Sequence, residues 1–510
     1  MWTAMSLGKR FLQGAGLGLI EHGVRTASLF VTVPLMVKWL GVDSYGYWLT
    51  AMSVLAYFAL LDLGMSFGTT RFMALAVGAK DGQKQAVVYR VATTHFHRMS
   101  VIIGIGSFLV FLAMPFIVTG GQHVSKTEVL IATIPVGLSM ALRFWWRLPQ
   151  LLLRAWVRYD WLSWAAIIRV TAQSAALILL LPHGGGLILV GTVVALSDVL
   201  EMTLQKAFAK RLPALHLDEV VEDEAAVTAR RELVSFTRDI IFGMVGDGVR
   251  GNVGPQVMST VVGLHMVPVY SMGTSLISKA EDVVNTLFGG GLLSVFGQMH
   301  GGGERERLHR EFGRIMAITA GFGAATAAGL VIFGKAFMQR WLGDKFHGAY
   351  EVMSILALPY ALFFMQYPAH SFLYALGWQR QVMWLRCTSG VLAGVFAIIF
   401  GLLWGFKGVA MGPALDMGLL YAIAFPWLVH RATGIPFVKY GWSNILWPGI
   451  KGLILPLSAA YAITPWILPD YPHLVACALI YALAMVVSVP LCLLDKEGRA
   501  LMRGALSRGD

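Results

Sequence analysis

Apolar runs long enough to cross a lipid bilayer recur along the whole chain, and they limit its possible folds more than any other feature. A hydrocarbon core about 30 Å thick is crossed by a helix of about 20 apolar residues. Because backbone groups find no water inside the bilayer, such runs fold as helices. The sequence therefore predicts an all-α polytopic membrane protein with about fourteen spans, near 16–40, 46–68, 99–119, 128–148, 161–182, 187–208, 239–262, 268–296, 315–338, 351–374, 382–405, 409–430, 443–467 and 472–494.

The composition fits this prediction. Hydrophobic residues make up 57% of the chain and charged residues 13%, against about 45–50% and 25% in soluble domains. The first apolar segment contains Glu21 and Arg25 and is too long for the apolar part of a signal peptide, so we expect it to be retained. Cys387, Cys477 and Cys492 lie in or beside predicted spans without metal-ligand spacing, and we expect no disulfide framework.

The distribution of basic residues predicts the topology. Lysine and arginine outnumber aspartate and glutamate by 40 to 28, which alone would suggest a nucleic-acid partner. With a cytoplasmic N-terminus, however, the outer side receives only a few of them: Lys38, Lys126, Lys335, Arg340, Lys345 and Lys407. This bias predicts that both termini are cytoplasmic and that the number of spans is even. We expect a multi-pass membrane location and no nucleic-acid partner.

A short internal repeat predicts two related halves. The triplet Gly-Val-Arg occurs at 23–25 in the first predicted span and at 248–250 in the seventh. Both spans begin on the cytoplasmic side, which predicts a parallel repeat about an axis along the membrane normal. The expected domains are an N-terminal six-helix bundle at 1–208, a cytoplasmic linker with an acidic block at 209–238, a C-terminal six-helix bundle at 239–432, and two additional helices with a cytoplasmic tail at 433–510.

Five basic residues lie deep inside predicted spans, more than five residues from either end: Arg25, Arg169, Arg250, Lys279 and Lys451. An arginine at the centre of a span costs about 2.5–3.5 kcal/mol by insertion scales, and ionisable residues at such depth mark substrate paths or water-filled cavities. A guanidinium group stays charged and matches the oxygens of a phosphate. The five residues therefore predict an anion site in a central cavity.

Nearby acids leave a structural interpretation open. Glu21 precedes Arg25 by four residues and Asp247 precedes Arg250 by three, so each arginine could be neutralised on its own helix face. A permanently paired arginine would be structural. An acid that released its arginine when an anion arrived would instead act as a gate.

Acids inside spans are also candidates for coupling transport to H⁺ or Na⁺. The candidates are Asp416, Asp62, Asp198, Glu201 and Asp247. Asp416 has no lysine or arginine within one helical turn along the chain, whereas for Asp62 a structural role at a helix end is favoured. His95 and His97 do not share a helix face, so no metal site is expected there.

Several short motifs resemble those of the polysaccharide transporter family in the multidrug/oligosaccharidyl-lipid/polysaccharide (MOP) flippase superfamily. They are Leu40-Gly41 followed by Tyr45-Gly46, Asp62-Leu63-Gly64 with Arg71 beyond, Trp341-Leu342-Gly343 with Phe346, and Ala375-Leu376-Gly377. The likeness covers nearly the whole chain in the order of its motifs and in the number of spans.

The resemblance implies a flippase that moves polyprenyl-pyrophosphate-linked oligosaccharide from the inner to the outer leaflet of the bacterial plasma membrane for the synthesis of surface polysaccharide such as lipopolysaccharide. Related flippases hold the pyrophosphate with cations, and the matching positions are Arg25 and, by the internal repeat, Arg250. The helices near 443–494 resemble a pair that forms a lipid-tail groove. Expected partners are the lipid-linked oligosaccharide, membrane lipids, H⁺ or Na⁺, and a polysaccharide polymerase.

Two other functions are compatible with parts of the sequence. A multidrug and toxin antiporter shares the architecture, but it suits cationic cargo and an acidic cavity, whereas the excess charge here is basic. A polytopic oligosaccharide polymerase would need a sizeable outer loop, and the predicted outer loops are short. The sequence contains no nucleotide or nucleophile motif above background, so we expect neither enzymatic activity nor a cofactor.

Overall fold

The computed structural model describes residues 7–62, 64–79, 81–117, 126–156, 158–212, 245–288, 305–343 and 346–494, with the isolated positions 227, 228, 231, 292, 296 and 299. Throughout this part of the chain the regular structure is helical. Within it, nine helical segments are long and apolar enough to cross a membrane. The predicted all-α polytopic membrane protein is confirmed, while the number of fourteen spans stays a prediction.

The chain divides into two compact units, Met1–Gly248 with Gly263–Val267, and Val249–Val262 with Pro268–Asp510. Most of the predicted linker at 209–238, including its acidic block, lies outside the described residues, as does the tail beyond 494. The predicted domain boundaries therefore stay predictions.

The described residues of the first unit include eight α-helices. They are α1 (Leu7–Leu40), α2 (Val42–Phe58), α3 (Met65–Gly78), α4 (Gly82–Ile117), α5 (Lys126–Trp145), α6 (Arg147–Ala155), α7 (Tyr159–Leu180) and α8 (Gly186–Ala209).

Two close contacts set the positions of the helices that carry the candidate site. Ser28 of α1 and Ser174 of α7 share a hydrogen bond of 2.6 Å. Helices α5 and α8 touch where Gly191 meets the backbone carbonyl of Ala132, and a Cβ atom at position 191 would collide with that oxygen. Since α5 and α8 are in backbone contact there, the polar side chains that follow Ala132 on α5 and Gly191 on α8 lie within reach of one another.

The second unit is also helical. Its helices are α9 (245–257, of which 249–257 belong to this unit), α10 (Val267–Phe288), α11 (Arg305–Leu342), α12 (His347–Met365), α13 (Tyr367–Ala375), α14 (Gln379–Leu419), α15 (Phe425–Thr433), α16 (Phe437–Lys439), α17 (Trp447–Ile463) and α18 (Tyr471–Ser488). Single π-helical turns follow or precede several of them, at Met258–Val262, Leu420–Ala424, Tyr440–Leu446 and Val489–Leu493.

One helical segment of this unit, Gln379–Thr433, has 55 residues, far more than the about 20 that a single crossing needs. Gly405 interrupts it with a φ of 59°. Just after this break, Gly408 lies so close to the carbonyl of Phe400 that a Cβ atom would not fit. The segment is therefore a tight helical hairpin, and its two arms match the spans predicted at 382–405 and 409–430.

The Leu-Gly motifs have a common structural reason. Gly41, Gly64, Gly343 and Gly377 all have a φ between 74° and 82°, the left-handed conformation in which a side chain is strained. Gly41 and Gly343 directly follow the last residues of α1 and α11. These glycines end helices and turn the chain. The Leu-Gly motifs therefore indicate where helices end.

Candidate functional site

The candidate site of the first unit is a cavity of about 990 Å³. Helices α1, α3, α5, α6, α7 and α8 contribute to its wall. Its ionisable side chains are mainly arginines and carboxylates: Arg25, Arg143, Arg147, Arg154, Arg169, Glu21, Asp62 and Glu201. The structure thus brings two of the five predicted anion ligands, Arg25 and Arg169, to one cavity with three further arginines.

The three further arginines come from the end of α5 and from α6. Arg143, Arg147 and Arg154 recur at helical spacing, so they share one face with Gln150. The neighbouring face of α6 is apolar and buried at Leu148, Leu151 and Ala155. Burial of this apolar face turns the arginines towards the cavity.

In the sequence these three arginines lie at or near a predicted cytoplasmic connection, where the charge bias that sets topology is enough to account for them. The signal that would have found them is the amphipathic pattern of α6, in which leucines at 148 and 151 alternate with arginines at 147 and 154. A connection that only sets topology needs no such pattern.

Two arginines and two carboxylates form one network at the site. The Nε atom of Arg169 lies 3.0 Å from Glu201 Oε2, and its Nη1 atom lies 3.6 Å from Asp198 Oδ1. Arg143 donates a hydrogen bond to Asp198 and lies 3.6 Å from Glu201. Asp198 and Glu201 are one turn apart on α8, so each acid faces both arginines.

Neutral side chains hold this network in place. Gln173 Oε1 accepts a hydrogen bond of 3.0 Å from Arg169 and one of 3.1 Å from Ser197. Gln205 donates to Glu201 at 3.1 Å. These hydrogen bonds restrict the orientation of Arg169 and Glu201.

A second group joins α6 to the start of α3. Arg147 lies 3.5 Å from Asp62 and donates hydrogen bonds to Ser66 at 3.0 Å and to Gln150 at 2.8 Å. Burial lowers the pKa of Arg147, and the nearby Asp62 charge opposes that shift. Asp62 also accepts the backbone N–H of Ser66 at 2.8 Å, as an acid at a helix start can, and its role stays a prediction.

Arg25 and Arg154 are the least neutralised cations of the cavity. Arg25 forms the predicted ion pair with Glu21 at 2.7 Å, but 46% of its side chain remains exposed. Across the part of the chain that the structure describes, no carboxylate lies within ion-pair distance of Arg154. The guanidinium groups of these two residues are thus available to an anion that enters the cavity.

Arg250 lies in a different environment, in the second unit. Its Nε atom is 3.4 Å from Asp416 Oδ2, and it also donates to the hydroxyl of Ser389. Ser389 in turn donates to Asp416 at 2.7 Å. Asp416, which has no cation nearby along the sequence, therefore has one in the fold, and its side chain is only 3% exposed.

Lys279 and Lys451 do not line the 990 Å³ cavity either. Lys279 pairs with Asp282 at 2.8 Å. Lys451 lies over the ring of Trp447, 5.1 Å from its centre, an arrangement common at membrane interfaces. Whether Arg250, Lys279 or Lys451 binds an anion, and whether Asp247 neutralises Arg250, stay predictions.

The two histidines of the third span do not form a candidate metal site. His97 stacks on Trp145 with 3.9 Å between the ring centres. Among the residues that the structure places, no group of three or more metal-binding side chains comes together.

Comparison with known proteins identifies the fold. No protein-family model matches the chain, and no curated protein matches it. An inward-facing multidrug resistance MATE family transporter of the MOP superfamily is 15% identical, with a TM-score of 0.68 over 81% of this chain and 98% of that one. The lipid II flippase MurJ, in an inward closed conformation, is 14% identical, with a TM-score of 0.65 over 93% and 98%.

A third similar structure is a MOP superfamily transporter from Pyrococcus furiosus, described as having a binding pocket of reverse polarity that suggests a different function. It is 15% identical, with a TM-score of 0.57 over 84% of this chain and 97% of that one. At this level of identity the matches establish the fold and leave the cargo open. The chain has the fold of MOP superfamily transporters.

Proposed function

We propose that this protein is a flippase of the polysaccharide transporter family. It moves polyprenyl-pyrophosphate-linked oligosaccharide from the inner to the outer leaflet of the bacterial plasma membrane by alternating access. The observation that carries this proposal is the cavity of the first unit, where five arginines meet. Its volume of about 990 Å³ is at the upper end of the range for small-molecule pockets, which leaves room for a pyrophosphate and an adjoining sugar.

The balance of charge favours an anionic cargo. Each carboxylate of the cavity wall, Glu21, Asp62 and Glu201, is already within ion-pair distance of an arginine. Arg154 adds a positive charge to this balance. A pyrophosphate presents oxygens on both of its phosphates, and guanidinium groups bind such oxygens with paired hydrogen bonds.

The arginines differ in the role that we assign to them. Arg143, Arg147 and Arg169 are held by carboxylates and neutral side chains, so they shape the wall and its potential. Arg25 and Arg154 contact the pyrophosphate, and the cargo replaces Glu21 as the partner of Arg25. Glu21 then acts as a gate that keeps Arg25 oriented while the cavity is empty.

The entry side follows from the predicted topology. The cavity lies among the end of α5, the start of α7 and the last turns of α8. These segments are on the side that the positive-inside rule predicts to be cytoplasmic. Cargo therefore enters from the inner leaflet, where lipid-linked oligosaccharides are made. Coupling to H⁺ or Na⁺ and a polymerase partner remain predictions within this proposal.

Export of cationic drugs is the second candidate, because a MATE transporter is among the similar structures. A cation would need a carboxylate with no arginine partner in the cavity. Asp198 and Glu201 would have to lose their contacts with Arg143 and Arg169 before they could serve, and the charge of Arg154 would oppose binding.

The test is the amount of lipid-linked oligosaccharide that becomes accessible on the outer face of cells. The variants are a deletion, Arg154→Gln, and the control Arg90→Gln, which removes an exposed arginine from α4 of the same unit. We expect loss of exposure with the deletion and with Arg154→Gln, and normal exposure with the control at matched protein levels. Normal exposure in deleted cells, together with loss of resistance to lipophilic cations, would instead establish drug export.

A further inference from the structure

A second cavity, of about 280 Å³, lies in the second unit beside the last helical turn of the described chain. It is separate from the site described above and from the Arg250 pair. Its wall combines two arginines with small and aliphatic residues: Arg310, Gly313, Arg314, Ala317, Leu493 and Leu494.

The shape of this cavity follows from a close helix crossing. Helices α11 and α17 are in backbone contact at Gly321 and Gly452, where a Cβ atom on either residue would collide. The side chain of Leu493 packs against Gly321. Leu493 also lines the cavity, and at Gly313, nearer the start of α11, the atom nearest to a Cβ would be Asn444 Nδ2 at 3.7 Å.

The open end carries positive charge. Arg310 and Arg314 are one turn apart on α11, and among the described residues of the wall there is no carboxylate. Glu311 accepts a hydrogen bond of 3.0 Å from Arg314. Arg310 is exposed, and in the described ranges no acid lies within ion-pair distance of it. Arg310 therefore offers an exposed guanidinium group at this end of the cavity, one helical turn from Arg314.

The surroundings of the cavity are those of a membrane interface. Trp442 and Trp447, just before and at the start of α17, are about half exposed and stack with 6.2 Å between their ring centres. Exposed tryptophans of this kind lie at the level of lipid head groups. The helix that ends at the cavity presents Val486 and Leu491 outward, as a lipid-facing surface does.

We propose that this cavity binds the head group of an anionic phospholipid of the inner leaflet. The phosphate lies between Arg310 and Arg314, and the acyl chains run along the exposed apolar face of α18. Basic pockets between transmembrane helices on the cytoplasmic side are known to bind such head groups. A free phosphate would use only the charged end, whereas a phospholipid uses both the charge and the adjacent apolar face.

The experiment measures lipid retention by purified full-length protein. The protein is reconstituted in vesicles of phosphatidylethanolamine with phosphatidylglycerol, extracted, and analysed by native mass spectrometry for lipids that remain bound. We expect phosphatidylglycerol to be retained in preference to phosphatidylethanolamine. Arg310→Gln/Arg314→Gln should weaken this retention by about 30-fold, since each basic residue near an anionic surface contributes about fivefold.

Two further variants keep the result interpretable. Arg310→Lys/Arg314→Lys keeps both charges and should still retain the lipid. It therefore tests the site even where the glutamine variant fails to fold. Arg340→Gln removes an exposed arginine from the other end of α11 and should leave retention unchanged. The proposal would be overturned if the wild type retained both lipids equally, or if the glutamine variant retained as much phosphatidylglycerol as the wild type. Release of the lipid by millimolar inorganic phosphate would overturn it as well. The assay does not involve transport, so its outcome is independent of the proposed cargo.

Discussion

Arg25 and Arg250 end the same Gly-Val-Arg triplet, yet their surroundings are opposite. Arg25 pairs only with an acid of its own helix turn among the ion pairs that the structure describes, and 46% of its side chain is exposed in the large cavity of the first unit. Arg250 pairs with Asp416, which is 166 residues away along the chain, and only 10% of its side chain is exposed. The repeat preserves an arginine while its environment differs between the two halves.

This difference separates two ways of keeping an arginine in a membrane protein. A sealed pair satisfies both charges internally, and removal of one partner leaves the other charge buried. An exposed arginine keeps hydrogen-bond donors for a ligand, and its surface ion pair contributes little to stability. We therefore expect Arg250 to matter chiefly for folding and Arg25 chiefly for binding.

The largest effect on stability should come from breaking the sealed pair. Asp416→Leu should lower the free energy of unfolding by about 3–5 kcal/mol, because Arg250 would lose the carboxylate that lies 3.4 Å from its Nε atom. The double variant Arg250→Met/Asp416→Leu should recover most of that loss. Thermal denaturation of the purified protein in detergent measures the stability of both variants. A double variant no more stable than Asp416→Leu would show that these two residues do more than neutralise each other's charge.

A smaller loss should follow from opening the network in the first unit. Arg169→Met removes a charged partner from Asp198 and Glu201 and should cost about 1.5–3 kcal/mol, since Arg143 still faces both acids. The same thermal assay applies. A loss as large as that for Asp416→Leu would indicate that this network is as sealed as the Arg250 pair, which would weaken the comparison.

The cap on α3 should contribute less again. Asp62→Ala removes the acceptor for the backbone N–H of Ser66 and should cost about 1 kcal/mol. Asp62→Asn keeps an oxygen for the cap but removes the charge that faces Arg147. If asparagine were as harmful as alanine, the ion pair with Arg147 would be the important contact at this position.

The smallest effect on stability is expected for Arg25 itself. Arg25→Gln should change the free energy of unfolding by less than about 0.5 kcal/mol, as is usual for a partly exposed ion pair. The same variant should nevertheless reduce outer-face exposure of lipid-linked oligosaccharide. A marked loss of thermal stability with unchanged exposure would make Arg25 a structural residue like Arg250.

The features that the sequence predicts depend on the spacing of residues that are close together along the chain. The apolar runs indicated the spans, the four-residue spacing indicated the Glu21–Arg25 pair, and the position of Asp62 before α3 indicated a helix end. Each of these depends on residues that are close along the chain, so periodicity and capping rules reach them.

The missed contacts join residues that are far apart in sequence. Arg143 meets Asp198 across 55 positions, and Arg250 meets Asp416 across 166. No local pattern encodes such pairings, because they depend on how helices pack. Arg154 was missed for another reason. A basic residue near a membrane interface is already explained by the positive-inside rule, so nothing in the sequence indicates that it lies in a cavity wall.

The most direct test of the central claim is binding of a purified polyprenyl pyrophosphate to the purified protein. The comparison uses wild type, Arg25→Gln/Arg154→Gln, and Arg250→Met/Asp416→Leu. We predict that the first variant binds at least tenfold more weakly and the second like wild type, since two charge-assisted hydrogen bonds contribute about 1.5–3 kcal/mol each. Unchanged binding by Arg25→Gln/Arg154→Gln, with loss of binding by a folded Arg250→Met/Asp416→Leu protein, would contradict the assignment of the anion site to the first unit.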